Sequence, residues 1–391
     1  MLNSLNPEIL SFKETAIMEV ANFGRKYQKE TGKYVYPAWF GEGDTETSNL
    51  IYEKTIESLV KGKTFYTYQN GIQELRSEIS RYMNEIFNIN TKPENHSVVT
   101  GGMMGLRLIC DLIIDSGDEV VMVGPVWPNI ISSVLLKKGN IKEISLQLKD
   151  GKWILDYDKL IGSITSKTKM VFVNSPGNPT GWEMPKSQQE RLLNHTRDVG
   201  CWLVADEVYH QITYNNLPSP SFLECSLASD KLIVINSSSK SFNMTGWRIG
   251  WITHPEELSS HIAKLVQITT TGVPEFLQDG LIAALQNYRF ITNELRINLK
   301  KSRDIMFNRL VSWNQVECSV PNAAFYAFFK VKGVKDSLEF SKKLILETNV
   351  GVAPGIAFGK SGEGHIRICF AAKESFINQI MDKLEPILNK S

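Results

Sequence analysis

The run Lys231-Leu-Ile-Val-Ile-Asn236 is short, apolar and β-branched, the pattern of a strand buried on both faces. The segment after it narrows the possible folds more than any other stretch: Ser237-Ser-Ser-Lys240-Ser-Phe-Asn-Met-Thr-Gly-Trp-Arg248-Ile-Gly250. Three serines, a lysine and an arginine stand where the strand must end. A strand covered on both faces belongs to a sheet flanked by helices, and such sheets bind ligands just beyond the carboxyl ends of their strands. A lysine by itself is ordinarily a solvated surface residue, and a serine run is ordinarily a loop. Held among packed neighbours, Lys240 loses hydration and its pKa falls, which lets an amine attack a carbonyl at neutral pH. Ser237, Ser239 and Arg248 add hydroxyls and a rigid fork of donors suited to a phosphate. An aldehyde that also carries a phosphate would use all of these groups together.

The same succession, an apolar run and then a turn-forming polar segment, recurs along the chain. Ser97-Val-Val-Thr100 leads into Gly101-Gly102-Met103-Met104-Gly105 and an apolar helix expected over Leu106 to Ile114. A glycine turn opening a helix presents backbone N–H groups to an anion, although such turns also serve close packing. Asp118-Glu-Val-Val-Met-Val123 is followed by Gly124-Pro-Val-Trp127-Pro, whose flat indole suits a flat heteroaromatic ring or a core. Lys169-Met-Val-Phe-Val173 runs into Asn174-Ser-Pro-Gly-Asn178-Pro-Thr-Gly181, a segment that must be loop. Cys201-Trp-Leu-Val-Ala205 ends in Asp206-Glu-Val-Tyr209. A carboxylate there is either a helix N-cap or a buried charge in need of a partner. With a helix expected over Ser187 to Gly200, this alternation predicts an α/β fold: a mostly parallel sheet with helices on both faces.

The flanks read differently. Ile9, Leu10, Phe12, Ile17, Val20 and Phe23 recur at helical spacing, predicting an amphipathic helix over Pro7 to Lys29. Gly71 opens another helix, with Ile72, Leu75 and Ile79 on one face. Glu256 to Ala284 is helical with a break at Gly272-Val-Pro274, and a long helix spans Asn287 to Leu310. Asn314 to Ser391 mixes short strands and helices, the pattern of a smaller α+β unit. Within it Arg367 interrupts an alternating apolar strand, and a buried guanidinium needs a partner.

Net charge is +1 over 391 residues, which gives no electrostatic case for a nucleic-acid or membrane partner. The five cysteines, Cys110, Cys201, Cys225, Cys318 and Cys369, form no Cys-x-x-Cys pair. Together with a first segment, Met1 to Pro7, that lacks a basic-then-apolar leader, they predict a reduced, cytoplasmic protein.

The stretch around Lys240 resembles the lysine signature of the class I/II aminotransferases, pyridoxal 5'-phosphate (PLP) enzymes of fold type I. Ser238 departs from it, standing where the family carries an apolar or aromatic residue. Asn178-Pro-Thr-Gly resembles the family's second signature, and the likeness runs from about Gly41 to Arg367. It implies that Lys240 carries the cofactor covalently and that Asp206 pairs with its ring nitrogen. Asn178 and Tyr209 would bind the phenolic oxygen, and Trp127 would stack on the ring. The turn Gly101-Gly102-Met103, with Ser237, Ser239 and Arg248, would hold the phosphate. Tyr66 matches a tyrosine that reaches the phosphate of a neighbouring subunit, so the resemblance also implies a homodimer with shared active sites. Arg367 would grip the substrate α-carboxylate, with Asn178 and a loop glycine, Gly41, beside it. Two further departures are Gly43 for the family's proline and Ala323 for its glycine. The implied division is a large PLP-binding domain over 43–286 and a small domain of 1–42 and 287–391.

The activity implied is amino transfer from an L-amino acid to a 2-oxo acid by a ping-pong route. A carbon–sulfur β-lyase or an aminocyclopropane-carboxylate-synthase-like lyase would use the same residues. In one related bacterial subgroup a lysine follows the two glycines of the phosphate turn and meets a distal carboxylate; here that position is Met103. With bulky Trp39 and Phe40 nearby, neutral, hydrophobic or aromatic donors are expected over aspartate.

Overall fold

The computed structural model describes residues 9–10, 14–215 and 217–389. Positions 7–8 and Phe12 of the expected first helix, and the segment Met1 to Pro7 on which the leader expectation falls, lie outside the described residues. The first long helix, α1, is Ala16–Thr31, opened by Thr15, whose hydroxyl accepts from Met18 N–H, and closed by Gly32 in the left-handed region at φ 70°.

Seven strands form the central sheet: β1 (His96–Val99), β2 (Glu119–Gly124), β3 (Asn140–Ser145), β4 (Thr168–Asn174), β5 (Trp202–Asp206), β6 (Leu232–Ser237) and β7 (Gly250–Thr253). Their order across the sheet is β1-β7-β6-β5-β4-β2-β3. β2 through β6 pair in parallel, whereas β7 runs antiparallel to both β6 and β1. The chain therefore leaves β6, makes the Ser238-to-Ile249 excursion and returns at once beside the same strand. That return holds the Lys240 segment against the sheet end.

Side-chain alternation covers both faces. Val121, Val123, Val171, Val173, Leu203 and Val234 pack on one side with helix Gln73–Phe87 and helix Glu275–Gln286. Val120, Met122, Met170, Phe172, Val204 and Ile235 pack on the other with helix Gly101–Ile113 and helix Ser259–Thr269. Leu203, Val204, Ile233 and Val234 are fully buried, and truncating Leu203 or Ile233 to alanine would cost about 2–5 kcal/mol. The glycine-turn helix begins at Gly101 rather than at Leu106. Glycine's low propensity argues for the later start, but in the first turn glycines leave N–H groups free.

Helix Tyr288–Leu310 leads to a second, antiparallel sheet: β8 (Val316–Cys318), β9 (Tyr326–Val331), β10 (Ala353–Pro354) and β11 (His365–Cys369), in the order β8-β9-β11-β10. The N-terminal arm packs beside this unit, where Tyr36–Pro37 pairs in parallel with Val350–Gly351 as a separate two-stranded sheet. No helix among the described residues is long and apolar enough to cross a membrane.

Candidate active site

The carboxyl ends of β4, β5 and β6 open on a cavity of about 380 Å³, closed on its far side by β9, β11 and the arm. Lys240 sits in the single helical turn Ser238–Ser241 directly after β6, with Nζ donating to the Gly41 carbonyl at 2.6 Å. Burial depresses its pKa to about 8; the Arg367 and Arg248 charges push the same way, against Cys369 and Glu42.

One wall can hold an anion. The helix from Gly101 has no side-chain N-cap, so its first amides are free to donate to a ligand. Gly101 is left-handed at φ 79°, and a Cβ there would stand 2.6 Å from Arg248 Nη2, so only glycine admits the guanidinium beside the turn. Ser237 Oγ donates to Ser239 Oγ at 3.0 Å, and Arg248 Nη1 reaches the same Ser239 oxygen at 3.5 Å. Gly102 and Met103 line the cavity at this end, while Gly101 lies behind them against Arg248.

The opposite end presents a carboxyl. Asp206 is buried, accepts from the Val208 N–H at 3.2 Å and has no ion-pair partner among the described residues. Burial raises its pKa to about 7, against the Val208 N–H and the Lys240 charge. A turn, not a helix, succeeds it, so the N-cap alternative does not hold. A bound cation beside this carboxyl would relieve the burial penalty. Between the two ends stand Trp127, half-buried against the cavity, and the Tyr209 hydroxyl, 2.7 Å from that of Tyr326.

Arg367 comes from the second sheet. It is almost fully buried; Nη1 donates to Asn178 Oδ1 at 3.0 Å and Nη2 donates to the Trp39 carbonyl. Its guanidinium carbon lies 4.5 Å from the Tyr326 ring centroid and 5.0 Å from that of Phe358. Each terminal nitrogen carries two N–H groups, so one remains on each for a carboxylate.

Three of the groups here are given no place in the site by the sequence, although Tyr326 lies in the stretch Pro321 to Tyr326 that resembles a family block and Ile17 lies on the first helix's apolar face. Asn174 donates to the Asp206 carbonyl at 3.0 Å and accepts from the Asn178 N–H at 2.7 Å, tying two site segments together. Tyr326 is the second, and Ile17, from the first turn of α1, is the third. Asn174 could have been found from its place at the end of a buried strand, the criterion that finds Asp206. Trp39 serves the site and the core together. Its indole packs into the core of the second unit, so close to Gly24 and Gly351 that a Cβ on either would overlap it. Its carbonyl accepts from Arg367, and Trp39 and Phe40 both border the cavity. Tyr66 is 91 % exposed and does not line this cavity.

A phosphate fits the uncapped helix end with its serines and arginine. A protonated ring nitrogen fits the buried carboxyl that borders the cavity, and an aldehyde fits the amine whose pKa burial lowers. These are the three functional parts of PLP. The family described as aminotransferase class I and II matches residues 39–384. A probable aspartate aminotransferase of Methanocaldococcus jannaschii is 33% identical over 384 residues, covering 96% of this chain and 98% of its own. An aromatic-amino-acid aminotransferase of Thermococcus litoralis is 29% identical over 358 residues, 90% of each chain. Among solved structures, an aspartate aminotransferase from Thermus thermophilus with maleate superposes with a TM-score of 0.92 at 27% identity, covering 98% of this chain and all of the other. The chain belongs to the class I and II aminotransferase family, with the family's fold type I architecture. It is a PLP-dependent aminotransferase.

Proposed function

We propose that this aminotransferase takes the amino group of a neutral, hydrophobic or aromatic L-amino acid and passes it to a 2-oxo acid in two ping-pong half-reactions. The observation that carries the donor class is the charge of the cavity wall. Among the described residues its only cations are Lys240, Arg248 and Arg367, and each has a role assigned by its neighbours. The remaining wall includes Ile17, Phe40, Met103 and Leu106. A second, distal carboxylate would lie there without a partner, at a cost of several kcal/mol. The relatives' names include both aspartate and aromatic donors, so likeness alone does not choose.

When bound, PLP supplies an aldehyde that accepts the amino group and a protonated ring that takes up electrons. Arg367 binds the substrate α-carboxylate through its two remaining N–H groups, and Asn178 fixes the angle of the guanidinium. Lys240 Nζ, its pKa lowered to about 8 by burial, acts in its neutral form to remove the proton from the substrate Cα and returns it elsewhere in the reacting system. Asp206 keeps the ring nitrogen protonated, and the Tyr209 hydroxyl and Asn178 face the phenolic oxygen. The amides of Gly102 and Met103, with Ser237, Ser239 and Arg248, anchor the phosphate, and Gly41 borders the substrate.

Tyr66 is read as serving the second subunit of a homodimer. Its exposure supports this, as does the exposure of its neighbours Phe65 and Tyr68, at 82% and 75%. The division into 43–286 and 1–42 with 287–391 is supported by the separate cores of the two sheets. The donor class is tested by comparing kcat/KM for aspartate, glutamate, leucine, methionine and phenylalanine with one common acceptor. Leucine, methionine or phenylalanine should lead; aspartate leading by about tenfold, or ~1.4 kcal/mol, would overturn the donor assignment.

A further inference from the structure

Tyr326, the first residue of β9, has no part in the proposed reaction, yet it touches several of the site's working groups. It is 1% exposed. Its hydroxyl lies 2.7 Å from the Tyr209 hydroxyl, its ring face lies 4.5 Å from the Arg367 guanidinium carbon, and a Cβ on Gly41 would fall 2.0 Å from its oxygen. The Gly41 carbonyl in turn accepts from Lys240 Nζ at 2.6 Å. One tyrosine from the second sheet thus abuts the group facing the phenolic oxygen, the group gripping the carboxylate, and the loop holding the amine.

We infer that Tyr326 is a positioning residue with two separable parts, its hydroxyl orienting the Tyr209 phenol and its ring supporting the Arg367 guanidinium. The inference rests on the roles proposed for Tyr209 and Arg367.

The hydroxyl part comes from hydrogen-bond accounting. Two buried phenols 2.7 Å apart share one proton between their oxygens. If Tyr326 donates to Tyr209, the Tyr209 proton is free to point at the cofactor's phenolic oxygen, and the chain of two hydrogen bonds strengthens the second. That second bond stabilises negative charge on the phenolic oxygen, and so weakens the hold of that charge on the neighbouring nitrogen-bound proton. Losing the Tyr326 hydroxyl should therefore raise the pH at which the bound cofactor titrates. The ring part comes from charge: a desolvated guanidinium over an aromatic face gains attraction that an aliphatic side chain cannot supply.

The test uses holoenzyme without amino acid. The pH midpoint of the cofactor's visible absorption change is measured for wild type, Tyr326→Phe, Tyr209→Phe and the double variant. The Kd of 3-phenylpropionate, an unreactive monocarboxylate, is measured for wild type, Tyr326→Phe and Tyr326→Leu. Tyr326→Phe should titrate roughly 0.5 pH unit higher than wild type, the scale of one lost neutral hydrogen bond. Tyr209→Phe should move further in the same direction, and the double variant should match Tyr209→Phe. Tyr326→Phe should bind 3-phenylpropionate as wild type does, and Tyr326→Leu about tenfold more weakly. An unchanged or lowered midpoint in Tyr326→Phe, alongside a raised one in Tyr209→Phe, overturns the hydroxyl part and leaves the Tyr209 assignment standing. No change in Tyr209→Phe overturns both. Wild-type affinity in Tyr326→Leu overturns the ring part.

Discussion

Asp206 and Glu207 are neighbours at the end of one buried strand, and they face opposite regions of the molecule. Asp206 borders the cavity. Glu207 turns inward, where its Oε1 accepts from the Phe222 N–H at 3.0 Å and its Oε2 has no hydrogen-bond partner among the described residues. Burial lifts both carboxyls, to about 7 and about 8. On the cavity side, a cofactor that brings a positive charge can offset the penalty. On the interior side the Ser221 hydroxyl and the Phe222 N–H offset it only in part, so that carboxyl is best kept protonated. A perturbed pKa therefore does not by itself mark a site; what distinguishes the two is the space the group opens onto.

If cavity-side groups carry the chemistry and interior groups carry only stability, substitutions on the two sides should separate cleanly. The largest effect belongs to Lys240. Lys240→Ala should lose the borohydride-fixed cofactor and at least ~10⁵ in kcat/KM, because no other side chain here can hold and move that proton. Covalent cofactor on a different lysine, found by peptide mass spectrometry, would break the comparison at its root. Mixing Lys240→Ala with Tyr66→Phe chains should restore one intact site per heterodimer. A mixture no more active than its parents would place Tyr66 within its own subunit.

Glu207→Gln comes next, and its effect is on stability. With a folded-state pKa raised to about 8, Glu207 contributes stability that is fully present below the usual carboxylate range and is lost as pH rises through 8. Between about pH 5 and pH 9 this group alone should destabilise the wild type by about 4 kcal/mol. Glutamine mimics the protonated form, so the variant should lose about that much less in urea denaturation over the same range. Its kcat should stay within a few-fold of wild type. A large loss of kcat would make the interior side part of the machinery.

Asp206→Asn should do the reverse. Transition-state stabilisation should fall by about 3 kcal/mol, the typical effect of removing one preorganised charge. The cofactor-free protein should gain stability near pH 8, where the native carboxylate is ionised and unpaired. Near-wild-type kcat would show that Asp206 does not face the ring nitrogen.

The legibility of the two sides in the sequence divides along the same line. Lys240 and Asp206 draw notice because each lies at or just past the end of a run of buried-strand residues, but their implied roles, and any role for Asn178, come from the likeness to the family's signatures rather than from position. The parallel sheet is legible from the same runs, but the reversed strand β7 is not: Gly250–Thr253 is too short for its pattern to show direction. Glu207 gives no signal of its own, because the direction of a side chain one residue past a strand is set by the turn. Tyr326 meets Tyr209 across 117 residues of sequence, and no local pattern encodes such a pairing. Trp39 borders the cavity as its bulk suggests, but that Gly24 and Gly351 make room for its indole is not legible locally. Those glycines, far apart in sequence, only become informative once the arm is seen to pair beside Val350.

The smallest effect concerns the apolar wall. Met103 lies one residue beyond the glycines of the phosphate turn and lines the cavity, with the Asn129 amide 3.4 Å from its sulfur. It is a flexible, polarizable surface suited to apolar side chains. Met103→Lys would set an ammonium there, able to pair with a distal carboxylate but otherwise desolvated and alone. The variant should gain about tenfold in kcat/KM for aspartate relative to leucine, about 1.4 kcal/mol of discrimination. Most of the change should fall in KM, since the new contact is made equally before and during the reaction. An unchanged aspartate-to-leucine ratio would show that the substrate side chain points away from Met103, and the basis of the donor preference would then have to be sought on the Ile17 and Phe40 side of the cavity.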